Sequence, residues 1–175
     1  MKILGRIAIA VAVLAALVVT VSFFLPKTFA VERTISVEAS AETIQPLLSD
    51  LKNGWSSWEP WTAEDSTIVV TFDEIYSGVG AHQSWTDKSG GGELTLTEVV
   101  EGSGVTYDMS FNQGQYLSVG SIRYVETASG LEVTWRMSGD ADGVIGKYFG
   151  LAMDSMVGPM FESGLQNLKR KAEDG

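Results

Sequence analysis

The residues of this sequence that could do chemistry are few, and its histidine and cysteine content sets the first limit. The chain has a single histidine, His82, and no cysteine. A transition-metal centre needs several imidazole or thiolate ligands, and no calcium-loop pattern of spaced aspartates is present. The sequence therefore predicts no metal site. His82 lies in an alternating segment, where it could act as a general base or simply face solvent.

Asp154 is the most unusual of the carboxylates, because it borders an apolar stripe in the C-terminal segment. Arg123 and Arg136 lie on predicted strands and could reach it. A buried ion pair in an apolar cavity would orient a ligand head group or shift a pKa; the alternative is an exposed or purely structural pair. Tyr107, His82 and Asp154 are candidate acid–base groups for an enzyme, but no complete set is present. The sequence therefore assigns no catalytic residue.

Nucleotide and acyl-transfer motifs are also missing. Gly146-Lys147 resembles the end of a phosphate-binding loop, but that motif requires glycine where the chain has Ala141 and serine or threonine where it has Tyr148. No G-x-S-x-G nucleophile elbow occurs. We expect no cofactor.

Acidic residues dominate the chain beyond its first 25 residues. Residues 26–175 contain ten basic and 22 acidic residues, a formal charge of −12. Such a domain repels phosphate backbones, so a nucleic-acid partner is not expected. The same charge disfavours a face that lies flat on anionic lipid.

An uncharged run of 19 residues, 7–25, follows a basic flank at residues 1–6. As a helix it would be about 28 Å long, close to the thickness of a bilayer core. We interpret it as a single-pass membrane anchor. A long cleaved signal peptide, with Thr28-Phe29-Ala30 as its cleavage site, and a buried globular helix are the alternatives. Lys2 and Arg6 favour a cytoplasmic N-terminus, which predicts a cell-membrane protein with its C-terminal domain outside the cytoplasm, in the periplasm.

The remaining chain has the pattern of one α+β domain. Residues 26–31 form a predicted linker, and residues 32–172 are long enough for one real core. A strand at 31–38 precedes a short helix at 41–51 that begins after a capping serine, Ser40. Alternating segments then recur with glycine-bearing turns between them, as in an antiparallel meander. These segments are 66–75, 79–87, 92–100, 104–112, 116–126 and 131–139.

A helical pattern over residues 144–172 closes the chain and must cover the buried face of the sheet. Its predicted core stripe contains three methionines, and four glycines weaken it as a helix by about 1 kcal/mol each against alanine. Methionine suits an adaptable apolar surface, although an irregular core helix would have the same composition. The stripe comprises Ile145, Phe149, Met153, Met156, Met160, Leu165 and Leu168.

These pieces together resemble the START-related (SRPBCC) superfamily, in its polyketide cyclase/dehydrase-like branch with an N-terminal membrane segment. The resemblance covers about residues 31–171. Its matching pieces are Leu48-Ser49-Asp50-Leu51, Trp55, Trp58, Pro60-Trp61, Gly78-Val79-Gly80, Val133-Thr134-Trp135 and the terminal helix. Gly54 departs from the pattern, because it adds a residue after Asn53 that could change which tryptophan faces inward.

The resemblance implies a helix-grip fold, in which a curved antiparallel sheet of about seven strands wraps a long C-terminal helix around an apolar cavity. We therefore expect a membrane-tethered, non-catalytic module for a hydrophobic small molecule or lipid. The alternatives are a polyketide cyclase/dehydratase-like enzyme and an interaction or stress-related domain whose cavity is filled. The expected ligand-binding residues are Trp55, Trp58, Trp61, Tyr107, Met109, Trp135, Met137, Phe149, Met153, Met156 and Met160.

The segment NGWSSWEPW, residues 53–61, joins the short helix to the sheet and holds three of the five tryptophans. We expect Trp58 or Trp61 to wedge the corner where the short helices meet the long one. Trp55 is expected to stay partly exposed at the mouth of the cavity.

Overall fold

The computed structural model describes residues 2–88 and 90–174, so Met1, Ser89 and Gly175 lie outside the described residues. Met1 belongs to the predicted basic flank, and Ser89 belongs to a predicted turn. The elements in chain order are α1 Lys2–Ser22, β1 Thr28–Val37, α2 Ala41–Ser49, a 3₁₀ turn Trp55–Ser57, α3 Trp61–Glu64, β2 Val69–Phe72, β3 His82–Thr86, β4 Gly92–Val100, β5 Gly104–Phe111, β6 Tyr116–Thr127, β7 Gly130–Asp140 and α4 Gly143–Glu173.

The seven strands form one antiparallel sheet in the order β1-β7-β6-β5-β4-β3-β2. The meander therefore runs without a break from β2 to β7, and β1 closes the sheet against β7. Because side chains alternate along each strand, the register assigns every residue to one of two faces. Phe29, Val31 and Arg33 share the inner face with Trp135 and Met137. The topology and the long terminal helix confirm the predicted α+β helix-grip fold.

The terminal helix packs along β1 and only partly over β7. A Cβ atom at Gly158 would lie 2.0 Å from the Arg33 guanidinium, and one at Gly164 would lie 2.6 Å from the Trp135 ring. Gly150 lies against Ala141, 2.9 Å from a built Cβ, with Phe29 at the ordinary contact distance of 3.7 Å. Gly158 and Gly164 lower the helix propensity of α4, but they let the helix approach the sheet closely. The helix covers one side of the inner face, whereas the sequence predicted that it covers the whole face.

The short elements between β1 and β2 cover one end of the inner face. The Ser40 hydroxyl accepts a hydrogen bond from the Thr43 amide and caps α2, as the sequence predicts. Ile44 and Leu48 of α2 are fully buried, and Leu51 follows them into the core. This end of the fold is therefore closed by aliphatic packing and by the tryptophans described below.

The N-terminal helix lies beside the start of α4. Residues Ile3–Ser22 form a helix long and apolar enough to cross a membrane. Lys147 Nζ donates a hydrogen bond to the Ser22 carbonyl at 2.8 Å, and the Tyr148 hydroxyl donates one to the Val18 carbonyl at 2.9 Å. The two helices are thus joined where α1 ends and α4 begins.

Some element boundaries differ from the sequence predictions. The strand β1 begins at Thr28, inside the stretch 26–31 that the sequence assigns to a linker. The strand β2 is shorter than the predicted 66–75, because only Val69–Phe72 pairs with β3. Ile145 was predicted to face the core, and that prediction is wrong: its side chain is 84% exposed, because it lies on the side of α4 opposite to the buried Phe161 and Leu165.

Candidate functional site

An aromatic cluster fills the inner face beneath the second half of α4. The Trp135 ring stacks on Phe161 with centroids 4.1 Å apart and planes 6° apart. The rings of Trp58 and Trp61 approach Trp135 edge-on at 5.3 Å and 5.5 Å. Edge-to-face and offset-stacked contacts of this kind stabilise by about 0.5–1.5 kcal/mol beyond the buried area. Four of the expected ligand-binding residues, Trp55, Trp58, Tyr107 and Trp135, are buried here, and they pack on one another.

Tyr107 and Trp135 form the polar contact at the centre of this cluster. The Trp135 indole N–H donates a hydrogen bond to the Tyr107 hydroxyl at 2.7 Å. A Cβ atom at Gly120 would lie 2.1 Å from the Tyr107 ring, so the ring lies directly over that glycine. Burial raises the pKa of Tyr107 well above its ordinary value. A neutral hydroxyl engaged by an indole has a structural role here, and it is not poised for proton transfer.

Of the three tryptophans in residues 53–61, Trp61 is the one that stays partly exposed. The expectation that Trp55 stays exposed is wrong. Trp55 and Trp58 are buried, whereas Trp61 is partly exposed. The Trp58 indole N–H donates to the Leu47 carbonyl at 2.8 Å, which fixes the corner at α2. A Cβ atom at Gly54 would lie 2.2 Å from the Pro46 carbonyl oxygen. The extra glycine therefore lets the chain pass close to α2 and turns Trp55 inward.

An apolar stripe on α4 runs from Phe149 to Met160, on the flank of the helix next to Gly164. Phe149, Met153, Met156 and Met160 lie three or four residues apart and share one side of the helix. Gly164, four residues after Met160, contacts Trp135 of β7. Phe149 is 55% and Met156 is 53% exposed, whereas Met153 and Met160 are partly buried.

The opposite wall of this space is the inner face of the central strands. Gly150 of α4 lies over Phe29, and the register continues that row through Gly139, Ser118 and Met109. Met109 is only partly buried, and Trp85 and Phe111 beyond it are partly exposed and in edge contact at 5.7 Å. Phe29 lies over Gly139, 3.0 Å from a built Cβ, and Ser118 is buried, so the β1 end of this row is packed and its Met109 end is the more open one. We use the name apolar cleft for the inner-face region between α4 and the central strands; Phe149, Met153, Met156 and Met160 lie on its α4 side, and Trp85, Met109 and Phe111 lie on its sheet side.

The expected ligand residues therefore divide into two groups. Trp55, Trp58, Tyr107 and Trp135 are interior to the aromatic cluster, and Met137 is buried beside it. The four α4 residues and Met109 line the apolar cleft, and Trp61 lies at the outer edge of the cluster. Sequence reasoning missed Phe161, Trp85 and Phe111. The alternation of β3 and β5 was the available signal for the last two, because it assigns them to the inner face.

Asp154 is paired with Arg33, and neither predicted partner reaches it. The Arg33 guanidinium donates to Asp154 at 2.8 Å and to Glu162 at 2.6 Å. Its hydrogen bond to Arg33 lowers the pKa of the Asp154 carboxyl. The predicted partners bind elsewhere: Arg123 bonds to Glu98, and Arg136 bonds to Glu32. Asp154 thus belongs to a clamp that holds α4 on β1, on the side of the helix opposite to the apolar cleft.

His82 lies on the outer face of the sheet, away from α4. Its Nδ1 is 2.9 Å from an Asp73 oxygen, and its Nε2 is 3.6 Å from a Glu93 oxygen. Because the two nitrogens face different carboxylates, these groups do not converge on one cation. In the described ranges 2–88 and 90–174, no group of histidine and acidic residues could hold a metal ion. Tyr107, His82 and Asp154 therefore lie in three separate places and form no common active centre.

A second concavity lies mainly on the outer face. Its volume is about 810 Å³, and strands β1 and β4–β7 all contribute to its lining. Leu117 and Val119 are its exposed apolar members, whereas Glu93, Asp108 and Asp140 are acidic. Met109 is the one expected ligand residue among its lining residues. This groove is more polar than the apolar cleft and is separated from α4 by the sheet.

The fold and these sites define a helix-grip domain of the START-related class. The chain belongs to the family described as polyketide cyclase/dehydrase and lipid transport, whose model matches residues 28–173. The match covers β1 through α4 and confirms the resemblance on which the sequence analysis relied. Comparison with curated proteins found no match.

Solved structures share this fold at low sequence identity. A Staphylococcus aureus protein of unknown function has a TM-score of 0.64 at 12% identity, with 84% of this chain and 94% of that chain covered. A protein from Chromobacterium violaceum has a TM-score of 0.58 at 17% identity, with 85% and 99% covered. The di-domain ARO/CYC StfQ from the steffimycin biosynthetic pathway has a TM-score of 0.62 at 10% identity, with 84% and 51% covered. At these identities the similarity extends to the fold alone.

Proposed function

We propose that this protein is a membrane-tethered START-like domain that binds a hydrophobic small molecule or lipid in the apolar cleft. The observation that carries the proposal is the exposure of Phe149 and Met156, two large apolar side chains seven residues apart on α4. Large apolar side chains of a folded domain are normally buried, and a contiguous exposed group of them marks a binding surface. An apolar ligand covering them would gain about 25 cal/mol per Å² of buried area.

The position of the aromatic cluster supports a binding site at one end of the inner face. Trp58, Trp135 and Phe161 fill the space under the second half of α4. The ligand is therefore confined to the first half, between the methionines of α4 and Met109. Methionine side chains adapt to irregular apolar shapes, which suits a ligand of variable structure such as an acyl chain.

The proposed membrane tether is the helix α1. A mainly apolar helix of 20 residues, Ile3–Ser22, is joined to the domain beside the first turn of α4. A bilayer at that place would hold the cleft close to a source of hydrophobic ligands. The absence of a converged acid–base set among Tyr107, His82 and Asp154 favours binding without catalysis.

The experiment is native mass spectrometry of the full chain released from detergent micelles. Met156→Glu places a charge in the cleft, whereas Val125→Glu makes the same kind of change at an exposed valine on the outer face. We expect lipid-mass adducts on the wild type and on Val125→Glu, and a loss of about tenfold in affinity or more for Met156→Glu, since tenfold corresponds to about 1.4 kcal/mol.

Two results would contradict the proposal. One is a wild-type protein that carries no adduct and shows no thermal shift with any member of a lipid panel. The other is equal adduct retention in Met156→Glu and Val125→Glu. Far-UV circular dichroism of each variant controls for loss of folding.

A further inference from the structure

The first turns of α4 present an exposed apolar surface directly beside α1. Ile145 is 84% and Leu151 is 56% exposed. They lie three residues before and three residues after Tyr148, whose hydroxyl is bonded to the Val18 carbonyl of α1. Positions three residues apart are neighbours on a helix, so these two side chains flank the contact with α1. They are distinct from the apolar cleft, whose α4 wall begins at Phe149.

This part of α4 is poor in charged residues. Between residues 144 and 156 the charged residues are Lys147, which donates to the Ser22 carbonyl, and Asp154, which is bound by Arg33. The segment 162–173 of the same helix carries five charged residues, and Asp174 follows it directly. The exposed side of α4 thus changes from apolar to charged along its length, although the whole domain is strongly acidic.

The hydrogen bonds to α1 determine how deep in a bilayer this surface would lie. Val18 lies four residues before the end of α1 at Ser22, or about 6 Å along the helix axis. If α1 spans a bilayer, the Tyr148 hydroxyl bonded to Val18 must lie at the level of its last turn. Tyrosine and lysine are the residues found at the boundary between lipid and water, and Tyr148 and Lys147 make the contacts here. Phe23 and Phe24, directly after α1, are also exposed.

We infer that the first three turns of α4 are a second membrane-contact element, with Ile145 and Leu151 inserted into the acyl boundary of the leaflet where α1 ends. The occupant of this surface is the lipid bilayer, because the surface is continuous with the apolar exterior of α1. Asp140 ends β7 and Asp142 directly precedes α4, so the surface fits zwitterionic lipid and not an anionic one. This inference rests on the proposed tether and adds an orientation: the apolar cleft opens at the membrane surface, because Phe149 lies one turn from Ile145.

The test exploits the absence of cysteine from the chain. Single cysteines are introduced into the full chain at Ile145, Leu151, Val11 and Gln166, labelled with an environment-sensitive fluorophore, and reconstituted into phosphatidylcholine vesicles. Val11 lies within α1 and is the reference for insertion. Gln166 is the matched control, since it is exposed on the same side of α4 as Tyr148 but 18 residues, or about 27 Å, farther along. Quenching is measured with lipids that carry a nitroxide high or low on the acyl chain.

We expect the labels at Ile145→Cys and Leu151→Cys to be quenched severalfold more than the label at Gln166→Cys. The nitroxide high on the chain should quench them best, whereas the low nitroxide should act best on Val11→Cys. If Ile145→Cys and Leu151→Cys match Gln166→Cys while Val11→Cys is quenched, the tether stands and this inference is overturned. If Val11→Cys is also unquenched, α1 is not in the bilayer and the proposed tether fails together with the inference.

Discussion

The hydrogen bond between Tyr107 and Trp135 should be a major source of specificity in the core, and its removal gives a sharp test. Both residues are almost completely buried, and the Trp135 indole N–H donates to the Tyr107 hydroxyl at 2.7 Å. Tyr107→Phe keeps the ring over Gly120 but leaves the indole N–H without its acceptor. A buried donor that loses its partner costs about 1–3 kcal/mol. In a domain of this size, 1 kcal/mol corresponds to about 2–4 °C in Tm.

We therefore expect Tyr107→Phe to lower the free energy of unfolding by about 2 kcal/mol and the Tm by about 4–8 °C. The control is Tyr116→Phe, which removes the same hydroxyl from a side chain that is 60% exposed and should change the stability by less than about 0.5 kcal/mol. Urea unfolding followed by far-UV circular dichroism measures both variants without relying on tryptophan emission. Equal stability of the two variants would refute the reasoning, because it would show that the indole N–H finds another partner or water.

Three further predictions concern the pH dependence and the packing of α4. Burial raises the pKa of Tyr107, so the contribution of its neutral hydroxyl to stability is complete below pH of about 10 and is lost as the pH rises toward the raised pKa. The difference in free energy of unfolding between wild type and Tyr107→Phe should therefore shrink above that pH by up to about 1.4 kcal/mol per pH unit. A constant difference from pH 8 to 11 would contradict this. Gly164→Ala should destabilise by up to about 2 kcal/mol, since overpacking against a core indole outweighs the gain in helix propensity, whereas Gln166→Ala on the exposed side should be neutral in the same thermal melts. Arg33 lowers the pKa of Asp154, so the ion pair stabilises the fold at neutral pH and this stabilisation is lost as the pH falls through that lowered pKa. The Tm of Asp154→Asn should thus differ from that of the wild type at pH 6, and the difference should vanish in strong acid. An unchanged difference in strong acid would count against the clamp.

The pairing of Asp154 shows which part of an ion pair a sequence pattern can predict. Alternation along β1 assigns Arg33 to the same face as Val31 and Ile35, so a charge on the inner side was visible in the sequence. Its partners lie 121 and 129 residues farther along the chain. Only the packing of α4 on the edge strand brings them together, and Gly158 makes room for the guanidinium. The sequence therefore showed a charge at an inner position, but the partners that it suggested for Asp154, Arg123 and Arg136, bind other carboxylates.

The tryptophan segment shows the same limit at shorter range. Spacing and composition predicted that residues 53–61 wedge a corner, and Trp58 does so through its bond to the Leu47 carbonyl. Which ring remains outside depends on the path of the backbone at Gly54, which passes within contact of α2. A path determined by contacts across several elements cannot be read from spacing alone.

The sequence by itself determined the order of elements, the antiparallel meander, the two faces of each strand and the apolar character of α1, because these depend on local periodicity and on turn residues. The tertiary structure decided where α4 lies, since several apolar stripes of a glycine-rich helix could face the sheet. Placement along β1 buries Leu165 and Leu168 and leaves Phe149 and Met156 open over the cleft. It also brings Tyr148 to α1. These outcomes depend on shape complementarity between distant segments, which no local pattern encodes.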